Sequence, residues 1–228
     1  VPVYAGTGCI STKETIEQSK MAEAAGADVL SIITPSFAAA SQEELYAHYK
    51  AVAEAVDMPI VLYNIPARTG NALAPATVGR LAQIENIIGA KDSSGNFANI
   101  LNYINAGNKK ENGKFYTLSG NDQLIIWTLL AGGTGGIAGC ANVYPHTMAS
   151  IYNLFMEGKI EEAKAANASI QSFRDCFKYG NPNTIVKTAV RLLGYEVGPC
   201  RAPFNQVPEE GIKALKKVLA ENEAKGMH

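Results

Sequence analysis

Pro59-Ile60-Val61-Leu62-Tyr63-Asn64 and Ile87-Ile88-Gly89-Ala90-Lys91 are two short apolar runs, and each delivers a reactive side chain, Tyr63 or Lys91, at its downstream end. Both are apolar almost throughout, the mark of a strand buried on both faces of a parallel sheet. Four more runs read the same way, at residues 1–6, 29–34, 115–120 and 135–140. Longer amphipathic segments separate them. After Ser41 the residues Leu45, Tyr46, Tyr49, Val52, Ala53 and Val56 fall on one face at helical spacing. Ser11 with Glu14, and Ser41 with Glu44, have the spacing of a capping box, in which each side chain satisfies an orphan N–H at the helix start.

Strand, cap and helix therefore recur in order, which predicts an α/β protein built of βα units. Two architectures fit, an open doubly wound sheet and a closed (β/α)8 barrel, and periodicity alone does not choose between them. Six strands are counted where a barrel needs eight, and the chain opens directly on a strand, so a front end upstream of Val1 is expected. Beyond residue 140 only helices are predicted, at 145–157, 159–178, 184–193 and 208–225. Gly180-Asn181-Pro182-Asn183 and Gly198-Pro199-Cys200 break this helical region.

Composition narrows the function. A chain of 228 residues, 47% hydrophobic and 18% charged, makes one large or two small compact domains. Its net charge is −1 and it has no Lys/Arg-rich block, so nucleic acid and anionic membranes are not expected partners. Cys9, Cys140, Cys176 and Cys200 are scattered without CxxC spacing, and only three histidines are present. Free thiols and no metal site are expected. Neither a signal-peptide pattern nor an apolar stretch of membrane-spanning length is found, and a cytoplasmic location is the expectation.

Several motifs have plain readings. Gly6-Thr7-Gly8 begins like a dinucleotide fingerprint, but Ser11 stands at the third glycine position, so a strand-to-helix turn is the better account. Gly132-Gly133-Thr134-Gly135-Gly136 lacks a following Gly-Lys-Ser/Thr and reads as a helix end with a tight entry into the last strand. His48 and His146 have no partner at ligand spacing. Lys91 differs. At a strand end in a mouth lined by loops, partial desolvation favours the neutral amine that attacks a carbonyl to give a Schiff base. Tyr63 ends the preceding strand, and neighbouring strands lie ~4.8 Å apart, so its phenol can shuttle protons at that imine. Arg68, in the turn after Tyr63, supplies a bidentate fork for a substrate carboxylate or a salt bridge that holds the loop.

At these residues a family becomes recognisable. Tyr63-Asn64-Ile65-Pro66-Ala67-Arg68-Thr69-Gly70, then Gly89-Ala90-Lys91-Asp92-Ser93-Ser94-Gly95-Asn96, then Leu118-Ser119-Gly120, with Ala5-Gly6-Thr7-Gly8 before and Gly198-Pro199-Cys200-Arg201-Ala202-Pro203-Phe204 after, resemble the dihydrodipicolinate synthase / N-acetylneuraminate lyase family. The resemblance runs the length of the chain. It implies a (β/α)8 TIM barrel with a C-terminal helical extension, here lacking the first two βα units. The partial barrel, strands 3 to 8 of the family, would occupy residues 1–157 and the helical region residues 158–228. The missing second strand would carry a threonine pair that binds the pyruvate carboxylate. By resemblance Lys91 forms an imine with pyruvate, Tyr63 relays protons, and Gly120 and Ile137 line the pocket. No cofactor is implied, and the partners are small molecules, pyruvate and an aldehyde. A homo-oligomer, dimer or tetramer, is expected.

The resemblance also bears on the second substrate. Arg68 matches the arginine that receives the carboxylate of L-aspartate 4-semialdehyde in the synthase of lysine and diaminopimelate biosynthesis. Thr34-Pro35-Ser36-Phe37 departs from that branch, which carries two tyrosines after the proline, the second reaching across a subunit interface into a neighbouring proton relay. Phe37 has no hydroxyl to serve there. The synthase reaction therefore stands first, ahead of a 2-keto-3-deoxy sugar-acid aldolase or N-acetylneuraminate-lyase-like enzyme. A non-catalytic remnant that binds a 2-oxo acid is the third alternative.

Overall fold

The apolar runs assemble into one six-stranded parallel sheet in the computed structural model, which describes residues 1–204 and 206–228. Its strands are β1 (Tyr4–Gly6), β2 (Val29–Ile33), β3 (Ile60–Asn64), β4 (Ile87–Asp92), β5 (Tyr116–Ser119) and β6 (Gly135–Gly136). They lie in the order of the sequence, each beside the one before it. The connections are α1 (Thr12–Ala24), α2 (Gln42–Ala55), the pair α3 (Pro66–Thr69) and α4 (Pro75–Leu81), α5 (Phe97–Gly107) and α6 (Ile125–Leu130). After them come α7 (Pro145–Met156), α8 (Ile160–Ser169), α9 (Gln171–Arg174), α10 (Pro182–Leu192) and α11 (Glu209–Glu223). The chain divides into two compact units, Val1–Ile137 and Ala138–His228.

In the first unit, alternate strand residues point to opposite faces of the sheet. Leu30 and Ile32 of β2, Ile60 and Leu62 of β3, and Ala90 of β4 share a buried core with Leu45, Tyr49, Val52 and Ala53 of α2, Val78 and Leu81 of α4, and Tyr103 of α5. That fixes the helix-facing side. Tyr63 and Lys91, one residue out of phase with Leu62 and Ala90, therefore face the other side. A register shift between Ile60 and Val61 sets this phase: Ile60 pairs with Ile87, whereas Val61 pairs with Gly89 and Tyr63 with Lys91. The loop entering β4 is held by Lys110, whose ammonium donates to the carbonyls of Ala82 (2.6 Å), Ile84 (2.9 Å) and Ile87 (3.2 Å).

Both predicted helix starts are present, with one difference. The Ser41 hydroxyl accepts from the Glu44 N–H while Glu44 Oε2 accepts from the Ser41 N–H at 2.7 Å, a complete capping box. At Ser11 the hydroxyl accepts from the Glu14 N–H, but the Glu14 carboxylate accepts from the hydroxyl instead of from the backbone N–H.

Two expectations need correction. The strand expected over 135–140 is only two residues long, and a 3-10 turn follows at Gly139–Asn142. Two glycines offer no side chains to pack, and Gly135 has φ 149°; only Ile137 continues the pairing, its N–H bonding Ser119 O at 2.9 Å. The helix expected over 159–178 is α8, α9 and a 3-10 segment Asp175–Tyr179. Ser169 ends α8 with its hydroxyl bonded to the Ala166 carbonyl at 2.7 Å, a side-chain bond of the kind that disfavours helix continuation. Inside this second unit Phe173 packs edge-on against Tyr144 at 5.5 Å and Phe177 at 5.7 Å. Asn222 of α11 donates to the Tyr144 hydroxyl at 3.0 Å.

Candidate active site

Tyr63 and Lys91 are direct cross-strand partners at the downstream ends of β3 and β4. The Lys91 ammonium lies 3.9 Å from the centroid of the Tyr63 ring. Sequence alone placed the two on strands; the structure sets them side by side on one face. A primary amine and a phenol are thus brought together on one face of the sheet.

Behind this pair is a polar clasp that sequence reading missed. Asn64 and Asp92, each following a reactive residue, point to the helix side of the sheet, and Asn64 Nδ2 donates to Asp92 Oδ1 at 2.6 Å. Asp92 is 0% exposed. Its carboxylate also accepts from Asn99 Nδ2 at 3.0 Å and from Ser94 Oγ at 2.6 Å. Asn64 Oδ1 in turn accepts from the Leu73 N–H at 3.0 Å, and the Tyr103 hydroxyl donates to the Leu73 carbonyl at 2.6 Å. Burial pushes the Tyr103 hydroxyl well up from its ordinary pKa, which keeps it a donor. Three donors thus satisfy a buried carboxylate and join the ends of β3 and β4 to the start of α5. The signal was present as two polar residues, Asn64 and Asp92, each one step past a candidate catalytic residue.

Arg68 lies in α3, a single turn that Pro66 opens and Gly70, at φ 79°, closes. The residue is exposed, and its guanidinium makes no ion pair among the described residues, so the loop-holding salt bridge is not formed here. The turn is fastened by Thr69, which accepts from the Thr34 hydroxyl at 2.9 Å and donates to Asn71 O at 3.0 Å. Asn71 donates to the carbonyls of Pro35 and Ala38 and accepts from the Ala40 N–H. This frame holds Phe37 at φ 82° with its side chain outward, 97% exposed. A bulky residue at positive φ persists only where surrounding bonds fix the loop, as these do.

Gly120 follows β5, and its N–H donates to Asp92 O at 2.7 Å. A Cβ there would overlap Ser93 Oγ and come within 2.9 Å of Lys91 Cε, so position 120 borders the lysine directly. Ile137, half-buried, sits one strand further on by its bond to Ser119 O. Among the described residues there is no group of three or more His, Cys, Asp and Glu that could hold a metal ion, and no helix long and apolar enough to cross a membrane.

The Dihydrodipicolinate synthetase family model matches residues 1–222. The chain belongs to this family. The dihydrodipicolinate synthetase fold and sequence recur in its relatives. The 4-hydroxy-tetrahydrodipicolinate synthase of Archaeoglobus fulgidus is 39% identical over 219 residues, covering 96% of this chain and 74% of that protein. The crystal structure of dihydrodipicolinate synthase from Thermotoga maritima superposes with a TM-score of 0.93 at 30% identity, over 98% of this chain and 76% of that one. A prophage protein of E. coli K12 belonging to the dihydrodipicolinic acid synthase family, solved in complex with pyruvate, gives a TM-score of 0.91 at 32% identity, over 98% and 76%. Dihydrodipicolinate synthetase family members are lyases of the class I aldolase type, which condense pyruvate with an aldehyde.

Proposed function

We propose that this protein is a 4-hydroxy-tetrahydrodipicolinate synthase, which condenses pyruvate with L-aspartate 4-semialdehyde in lysine and diaminopimelate biosynthesis. One observation carries the Schiff-base half of the proposal: Lys91 and Tyr63 are registered partners with the ammonium 3.9 Å from the phenol ring, while the choice of aldehyde rests on the Arg68 match. Lys91 attacks the pyruvate ketone to form the imine. Tyr63 carries protons to and from the reacting atoms, and loss of a methyl proton turns the imine into an enamine that adds to the aldehyde. Arg68, exposed and without an ion pair among the described residues, receives the semialdehyde carboxylate as a bidentate fork. Gly120 and Ile137 bound the pyruvate side of the pocket.

In this reading the six strands are strands 3 to 8 of a (β/α)8 barrel, residues 1–157 forming the barrel part and 158–228 the helical region. The support is that the chain matches about three quarters of each related chain cited above. The enzyme is a cytoplasmic homo-oligomer, a reading supported by the outward, 97% exposed Phe37 ring. A monomeric mass in sedimentation at micromolar concentration would count against the oligomer.

Borohydride reduction in the presence of pyruvate tests the chemistry: the protein in its natural full length gains one reduced pyruvate adduct at Lys91, and a Lys91→Ala variant gains none. No adduct in the wild type would refute the function. Turnover of L-aspartate 4-semialdehyde against 2-oxo-3-deoxy sugar acids then decides the aldehyde. Phe37, without a hydroxyl, favours the sugar-acid aldolase as the second reading, and higher kcat/KM for sugar acids would establish it.

A further inference from the structure

Two buried side-chain atoms lack a hydrogen-bond partner among the described residues, His48 Nε2 and Ser93 Oγ. The second lies at the site. Ser93 follows Lys91 by two positions, so both side chains project to the same side of the sheet, and a Cβ on Gly120 would overlap Ser93 Oγ while coming within 2.9 Å of Lys91 Cε. The Ser93 hydroxyl thus occupies the place a side chain on Gly120 would take, with the ε-methylene of the lysine beside it. Its backbone is fixed as well, because the Ser93 N–H donates to Asn64 O at 2.8 Å and the Gly120 N–H to Asp92 O at 2.7 Å. Native proteins rarely leave a buried hydroxyl unpaired, and where they do, a partner supplied by the reaction is a physical reason for it.

We propose that Ser93 is a further catalytic residue: its hydroxyl donates a hydrogen bond to the ketone oxygen of the 2-oxo acid as Lys91 attacks, and holds that oxygen until it leaves as water. The inference rests on the function proposed above and deepens it. In the step, Lys91 first gives its ammonium proton to solvent, its lone pair then forms the N–C bond, and the carbonyl π pair moves to oxygen, where negative charge collects. One nitrogen proton passes through Tyr63 to that oxygen, giving the carbinolamine. The second nitrogen proton follows, the C–O bond breaks to release water, and the nitrogen pair closes the C=N bond. Ser93 transfers no proton. It stabilises the oxygen where charge develops, with a donor that has no competing partner and needs no reorganisation.

Single-turnover borohydride trapping with pyruvate alone, in the protein at its natural full length, tests the assignment. Ser93→Ala is expected to slow imine formation about a hundredfold, the lower end of the range for loss of one such donor, while the pyruvate concentration for half-saturation stays as in the wild type. Its Tm is expected to match or exceed the wild-type value, because an unpaired buried hydroxyl is removed. Ser93→Thr, which retains the hydroxyl, is expected to restore most of the rate. An alanine variant that traps at the wild-type rate overturns the proposal. So does a threonine variant as slow as the alanine one, or a defect that appears only when the aldehyde is added, which would place the hydroxyl at the second substrate. A wild type that gains no mass sinks the proposed function and this inference together, whereas equal trapping in wild type and Ser93→Ala sinks this inference alone.

Discussion

Replacing Asp92 with alanine removes the acceptor of three hydrogen bonds at once, those from Asn64 Nδ2, Asn99 Nδ2 and Ser94 Oγ. A buried donor left without a partner costs about 1–3 kcal/mol, and bonds to a charged acceptor lie at the upper end. Asn64 is fully enclosed and bears the whole penalty, whereas Asn99 and Ser94 are half-buried and turn partly to water. The sum is about 4 kcal/mol. For a chain of this size that corresponds to a Tm lower by roughly 10 °C. Asp92→Asn keeps one carbonyl oxygen for the two amide donors, and the Ser94 hydroxyl can reverse its role, so the cost falls to about 1 kcal/mol. Urea unfolding followed by far-UV circular dichroism and by the fluorescence of Trp127, the one tryptophan of the chain, measures both. An Asp92→Ala variant within about 1 kcal/mol of the wild type would refute the clasp. So would a double-mutant cycle with Asn64→Ala whose coupling stays under about 0.5 kcal/mol.

Two further outcomes follow from named contacts. Gly120→Ala drives a methyl group onto Ser93 Oγ and against Lys91 Cε; overpacking of this kind costs about 1–3 kcal/mol, and displacing the nucleophile should slow pyruvate trapping about a hundredfold. Wild-type trapping in that variant would contradict the position given to Gly120. His48, 6% exposed, bonds through Nδ1 to the Thr12 hydroxyl at 2.9 Å, and burial lowers its pKa below the ordinary value. The unfolded chain then binds the proton more readily, so this contribution is intact above about pH 6.5 and is lost as the pH falls from there through the lowered folded value. Thermal melts from about pH 8 to pH 5 should show the drop, and His48→Gln should flatten it; an unchanged slope in the variant would exclude His48 as its source.

Much of the fold was legible because its signals are local. Continuous apolar runs placed the strands, and the Ser41–Glu44 spacing placed a helix start to the residue. What failed depended on tertiary partners. Gly135 and Gly136 sit in an apolar run, yet a strand persists only where there are ladder bonds, and those end at Ile137. The segment 159–178 has helical spacing throughout, but spacing does not register a Ser169 hydroxyl that takes a backbone carbonyl. The site divides the same way. Tyr63 and Lys91 announce themselves by residue type at strand ends. Asn64, Asp92 and Ser93 do not, because their meaning lies in a cross-strand register that shifts by one residue between Ile60 and Val61. Without that shift Lys91 would not stand opposite Tyr63.

Since each strand from β2 to β6 is laid beside the one synthesised just before it, none of these pairings has to wait for chain made later. On the ribosome β4 can dock as soon as it emerges, closing a loop of only one βα unit, and with it the amine and the phenol come together. The reactive pair is thus an early product of translation. On the proposed function, Gly120 and Ile137, which follow β5 and β6, arrive afterwards, so a nascent chain would hold its nucleophile before it held its pocket.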